Sequence, residues 1–237
     1  ARALPWVGLD QHGAGVYFWD SQPILKAGDW VSYDIDVKQL IRDGFAAAEA
    51  AGFRRLKINC VVQRGVNDDG LVDLARHFHG TGHIVRFIEF MDVGTRNQWS
   101  MDEVVTGSEI VERIGAALPL EPIDRNYPGE VAARWRYVDG GGEIGVITSV
   151  SQPFCGTCTR ARLTTEGSLV TCLFAQGGVD LRTPLRDGSD DDVLRARIAS
   201  TWSDRRDRYS EERQQLLQIE GTAARRRERV EMYQVGG

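Results

Sequence analysis

The chain has 237 residues, 42% of them hydrophobic, with a formal net charge of −5 and a pI near 5.5. This acidic balance excludes a general nucleic-acid or anionic-membrane surface, so any phosphate recognition must come from local basic sites. The opening residues follow no signal-peptide pattern and no apolar run reaches about eighteen residues, so a soluble, cytoplasmic protein of one large or two modest domains is expected.

The first thirty or so residues are hard to read: Gly13, Gly15 and Gly28 interrupt them, and Tyr17-Phe18-Trp19 is a short apolar burst. From Asp36, a candidate cap, Val37, Leu40, Ile41, Phe45 and Ala48 recur at helical spacing, and Gly52 can stop the helix. Residues 56–62 then read as a buried strand ending in the turn 65–70. A second helix over 71–78 leads through Gly80 and Gly82 to another strand over 84–91. Continuous apolar strands alternating with helices predict βα units on a parallel sheet. Lys57, Arg86 and Glu89 are anomalous in such strands, and two readings stand: a buried Arg86–Glu89 or interstrand pair, or charges lining a ligand cavity.

Residues 101–118 are expected to form one helix capped by Ser108, with Ile110, Val111 and Ile114 on its apolar face. Pro119, Pro122 and Pro128 mark a connection, and 135–138 with 143–147 make a hairpin around Gly140-Gly141-Gly142. A second structural unit is therefore expected from about Gly107. Within it, 160–164 and 169–172 read as a hairpin turning at Glu166-Gly167, which would aim Arg160 and Arg162 the same way. Residues 190–218 are expected to be helical, with Arg205, Arg206, Arg208 and Arg213 on a solvated face. The basic run 225–229 reads as a disordered tail, and the terminal Gly236-Gly237 is uninformative by composition. No P-loop pattern occurs.

The stretch that carries chemistry is Cys155-Gly156-Thr157-Cys158, followed by Arg160, Arg162 and then Cys172. Three thiolates at this spacing can converge on one metal centre. A structural zinc site wants four closed ligands, yet the other cysteine, Cys60, and the four histidines lie far upstream. An iron–sulfur cluster on three cysteines leaves one iron open, and two fixed guanidinium forks beside it suit a phosphate-bearing ligand. The alternatives are a structural zinc with a further ligand, or three buried cysteines without a metal.

Taken with Leu56-Lys57-Ile58-Asn59, Arg64-Gly65-Val66-Asn67-Asp68, Arg86-Phe87-Ile88-Glu89-Phe90-Met91, Cys172-Leu173-Phe174 and the terminal diglycine, this segment resembles the molybdenum cofactor biosynthesis protein A family. Those proteins are the GTP 3′,8-cyclases of the radical SAM superfamily. The resemblance runs from about Asp34 to the end and implies an α/β fold. Residues 1–106 would be the C-terminal part of a radical SAM, TIM-like barrel, with 1–33 divergent. Residues 107–237 would be an α+β C-terminal iron–sulfur domain that binds GTP. It further implies a [4Fe–4S] cluster on Cys155, Cys158 and Cys172, GTP contacts from Lys57, Arg160, Ala161 and Arg162, and Met91 beside S-adenosylmethionine. The diglycine tail would enter the active site, and the product would pass to cyclic pyranopterin monophosphate synthase.

The family's CxxxCxxC triad, which holds the second [4Fe–4S] cluster that cleaves S-adenosylmethionine, does not occur in these residues. The chain is therefore expected to correspond to the C-terminal two thirds of the enzyme and to be unable to start the radical step alone. A non-catalytic cluster-and-GTP module is the alternative. Sheet edges left by missing strands would invite aggregation or homo-oligomerisation.

Overall fold

The computed structural model describes residues 8–10, 13–15, 37–93, 99–220 and 229–230. The burst Tyr17-Phe18-Trp19, the cap Asp36, residues 225–228 and the terminal diglycine lie outside the described residues.

Two short strands, β1 (Gly8–Asp10) and β2 (Gly13–Gly15), precede helix α1 (Val37–Ala50). Strand β3 (Lys57–Val62), helix α2 (Leu71–Phe78) and strand β4 (Ile84–Glu89) follow, then helix α3 (Gly107–Ala117). Strands β5 (Leu120–Ile123), β6 (Ala133–Tyr137) and β7 (Glu143–Ile147) complete one mixed sheet of order β1-β2-β3-β4-β7-β6-β5. Strands β2, β3, β4 and β7 are parallel, whereas β6 runs antiparallel to both of its neighbours, β7 and β5. The expected hairpin thus forms, and its second strand continues the parallel sheet beside β4.

Strand parity explains why the sheet has two unlike faces. Ile58, Cys60 and Val62 of β3, Val85 and Phe87 of β4, and Ile144 and Val146 of β7 pack with Leu71, Ala75 and Phe78 of α2 and Ile110 and Ile114 of α3. Each fully buried side chain of this size contributes about 1.5–3 kcal/mol relative to exposure. The alternate positions, Lys57, Asn59 and Arg86, fall on the opposite face. The strands are therefore not covered equally on both sides: Val61 remains 47% exposed.

Arg86 and Glu89 do not pair, because residues three apart on a strand point to opposite faces. Glu89 is fully buried and accepts hydrogen bonds from the backbone N–H groups of Gly107 (2.7 Å), Val150 (2.7 Å) and Ser151 (2.8 Å). Its carboxylate satisfies an orphan donor at the start of α3 and meets the positive end of the helix dipole. Residues 101–118 also differ from one continuous helix: Met101–Glu103 is a separate 3-10 turn with a capping box from Ser100, and α3 is capped by Thr106, not Ser108.

The remainder forms a small antiparallel sheet, β8 (Arg162–Leu163), β9 (Ser168–Val170) and β10 (Val179–Asp180), followed by α4 (Arg182–Arg186), α5 (Asp191–Ser203) and α6 (Tyr209–Glu220). The single helix expected over 190–218 is broken at residues 204–208. Two further expectations fail there. Arg213 is 1% exposed and Arg229 7%, so neither belongs to a solvated face or a free tail. Both reach Asp92, at the end of the segment leaving β4.

Candidate functional site

The CxxC segment folds as a 3-10 turn, Cys155–Thr157, closed by Cys158 N–H to the Cys155 carbonyl at 3.2 Å. Side chains three apart eclipse in such a turn, which directs the two thiols to one side. Cys172 follows β9, its sulfur accepting from Phe174 N–H at 3.4 Å, and it lies within electrostatic reach of Cys155. Among the described residues no three His, Cys, Asp or Glu side chains converge closely enough to ligate a metal ion. The three thiols border one another without closing into a triad.

Their surroundings are cationic. Arg160 donates from Nε to Cys158 Sγ at 3.2 Å and lies over the Phe154 ring, while Arg205 bonds the same cysteine and Arg208 interacts with Cys155. Burial works to raise the Cys158 thiol, but Arg205 and Arg160 outweigh it and leave its pKa below the ordinary cysteine value. Burial pushes Cys172 up, and it does the same to Cys60, which packs against the main core away from the site. Three sulfur donors within a ring of arginines fit a thiolate-held iron–sulfur group with net negative charge. His79 and His83 are engaged elsewhere, with Asp139 and Glu49.

Arg160 and Ala161 are exposed and precede β8, whose first residue, the half-buried Arg162, pairs with Val170. Only Arg162 of the two arginines is in the strand, so the shared strand face expected for both is not what positions them. Met91 is half-buried against the cluster of Trp99, Val104 and Val150.

Lys57 and Arg86 line a cavity of about 210 Å³ on the open face of the sheet, with Arg55, Arg134, Glu130 and Glu143. Arg86 is aimed by Asn59, whose Oδ1 accepts from its Nε at 2.8 Å. Gly145 leaves room for it: a Cβ there would meet Arg86 Cγ at 3.0 Å. Four cations against two carboxylates give the cavity a net positive lining suited to phosphate. Gly129, next to Glu130, lies against Thr157 and Thr159, so the cavity wall and the cysteine loop adjoin.

Sequence reasoning missed Arg134, which reaches the cavity from β6, and Arg205 and Asp207, which brace the cysteine loop. The signal for the last two was the break between α5 and α6, which a periodic arginine-rich stretch conceals.

The sequence matches the family described as Molybdenum Cofactor Synthesis C over residues 83–211. It is 53% identical over 194 residues to the GTP 3′,8-cyclase of Xanthomonas axonopodis pv. citri (strain 306), covering 82% of this chain and 55% of that protein. It is 47% identical over 219 residues to the GTP 3′,8-cyclase of Synechococcus sp. (strain CC9605), covering 90% and 62%. For the GTP 3′,8-cyclase of Acidothermus cellulolyticus the identity is 50% over 172 residues, covering 71% and 48%. The chain spans about half the length of the relatives it matches.

Proposed function

Because the chain belongs to the molybdenum cofactor biosynthesis protein A family, corresponding to its C-terminal portion, we propose that it binds GTP at an iron–sulfur centre for conversion to 3′,8-cyclo-7,8-dihydro-GTP. Cys155, Cys158 and Cys172 hold the [4Fe–4S] group, which supplies one iron without a cysteine as a Lewis-acidic contact for the nucleotide. The observation that carries the reading is the setting of Cys158 between Arg160 and Arg205, with Arg208 beside Cys155, since a thiolate-rich centre and an anionic nucleotide need the same cationic surround.

In this reading Arg160 and Arg162, with the intervening Ala161, contact GTP from the cysteine loop, and Lys57 contacts it from β3. Arg86 and Arg134 add positive charge beside Lys57, and Asn59 fixes the direction of the Arg86 guanidinium. Met91 lies at the S-adenosylmethionine site. The radical step itself needs a second [4Fe–4S] cluster, and the 237 residues carry no CxxxCxxC triad. A polypeptide of these residues alone is expected to leave S-adenosylmethionine uncleaved, and deoxyadenosine formation would refute this.

The test is anaerobic reconstitution with iron and sulfide, followed by GTP binding in equilibrium dialysis. About four irons per chain, lost in the Cys155→Ala, Cys158→Ala, Cys172→Ala variant, with GTP retention weakened at least tenfold by Arg160→Ala or Arg162→Ala, is the expected outcome. Retention of zinc instead of iron, or GTP binding indifferent to both arginines, would overturn the proposal.

A further inference from the structure

The segment between α5 and α6 wraps the cysteine loop. Arg205 exposes 12% of its side chain, and its guanidinium lies over the Trp202 ring, 5.2 Å from the centroid. Its Nη1 donates to the Cys158 carbonyl, which brings its positive charge beside the Cys158 thiol and holds that thiol's pKa down. On its other side Nε lies 3.3 Å from Asp207 Oδ2. That same carboxylate oxygen accepts from the Thr171 hydroxyl, one residue before Cys172. A single guanidinium–carboxylate pair therefore links the segment carrying Cys158 to the segment carrying Cys172.

We infer that Arg205, braced by Asp207, is a positioning residue of the cysteine centre: it fixes the two cysteine segments relative to each other and raises the reduction potential of the iron–sulfur group held there. The inference rests on the iron–sulfur reading above. Hydrogen bonds and positive charge at cysteine sulfur stabilise the more negatively charged reduced form over the oxidised one, which moves the potential up. Arg160 also donates to Cys158, but it is exposed and its charge is screened by solvent and salt more than that of Arg205, whose side chain is 12% exposed.

The test uses the full chain, reconstituted anaerobically and titrated with dithionite under EPR, with iron release to a chelator followed in parallel. Arg205→Gln should keep its iron but show a more negative midpoint and several-fold faster release. Arg205→Lys should recover part of the midpoint shift, since it restores charge without the fork, and Arg160→Gln should shift it less than Arg205→Gln. Should Arg205→Gln fail to fold by circular dichroism, Asp207→Asn, which leaves the guanidinium but unties it from Thr171 and removes a negative charge beside Cys172, should show faster release and a midpoint shifted the opposite way. A wild-type cluster with unchanged midpoint and release rate in these variants would overturn the inference while leaving the iron–sulfur reading intact. A wild-type chain that takes up no iron would remove both.

Discussion

Asp92 and Arg213 meet at 2.8 Å with side chains only 7% and 1% exposed, joining the residue after Met91 to the middle of α6. Arg229 donates to the same carboxylate at 3.1 Å, and the Tyr209 hydroxyl donates to it as well. The Arg213 guanidinium lies 5.1 Å from the Phe174 ring centroid, two residues beyond Cys172. The cysteine loop is thus seated on the end of β4 through one buried carboxylate.

Asp92→Asn neutralises the carboxylate that these two buried guanidiniums share. Breaking a buried pair from one side leaves uncompensated charge and costs about 3–5 kcal/mol. Arg76→Ala, which breaks an ion pair whose side chains are 57% and 84% exposed, should cost less than about 1 kcal/mol. Urea unfolding of the two variants measures the contrast, and equal effects would contradict the buried assignment.

Glu89→Gln keeps the shape of the side chain but turns an amide N–H₂ toward backbone donors that now meet oxygen. Each buried N–H left unsatisfied costs about 1–3 kcal/mol. The midpoint in urea should fall accordingly, and hydrogen exchange at the Gly107 and Val150 amides should accelerate; protection unchanged at both would contradict the role given to Glu89.

Burial pushes the phenols of Tyr137 and Tyr209 up to about 12, with Asp139 and Asp92 respectively adding to the shift. A raised folded-state value means the native chain keeps a proton that the unfolded chain gives up near pH 10. Their contribution is therefore complete below about pH 10 and lost as the pH climbs toward 12. Stability measured against pH should decline over that window, and the decline should be shallower in Tyr137→Phe and Tyr209→Phe. An unchanged alkaline limb in both would show that these phenols do not titrate late.

Gly145→Ala places a methyl group 3.0 Å from Arg86 Cγ and 3.2 Å from Ala132 Cβ. The flexible Arg86 stem can shift, at the expense of its bond to Asn59. Loss of one charge-assisted contact corresponds to roughly 1.5–3 kcal/mol, or about tenfold or more in affinity. GTP binding should weaken by that order while the thermal midpoint moves little; a large loss of stability with unaltered GTP affinity would place Arg86 outside the nucleotide site.

Much of the fold was legible because it is local. The strands over β3 and β4, helix α2 and the β6–β7 hairpin follow from apolar runs, helical spacing and the glycine turn at 140–142. The Arg86–Glu89 pair was avoidable even from sequence, because strand parity separates the two. The capping of α3 by Thr106 rather than Ser108 was a choice between neighbouring hydroxyls that composition does not decide.

The sequence by itself determined the family, the cysteine and arginine spacing of the candidate centre, and the alternation that puts Lys57 and Arg86 on one face of the sheet. Tertiary structure alone decided what the charges do. Arg205, Arg213 and Arg229 sit in arginine-rich stretches that look alike by composition, yet one reaches Cys158 and two reach Asp92. The reason is physical: the behaviour of a charged side chain is set by desolvation and by its nearest opposite charge. For Arg213 and Arg229 the opposite charge is Asp92, more than a hundred positions away, and Arg205, paired locally with Asp207, is aimed by the Cys158 carbonyl 47 positions earlier.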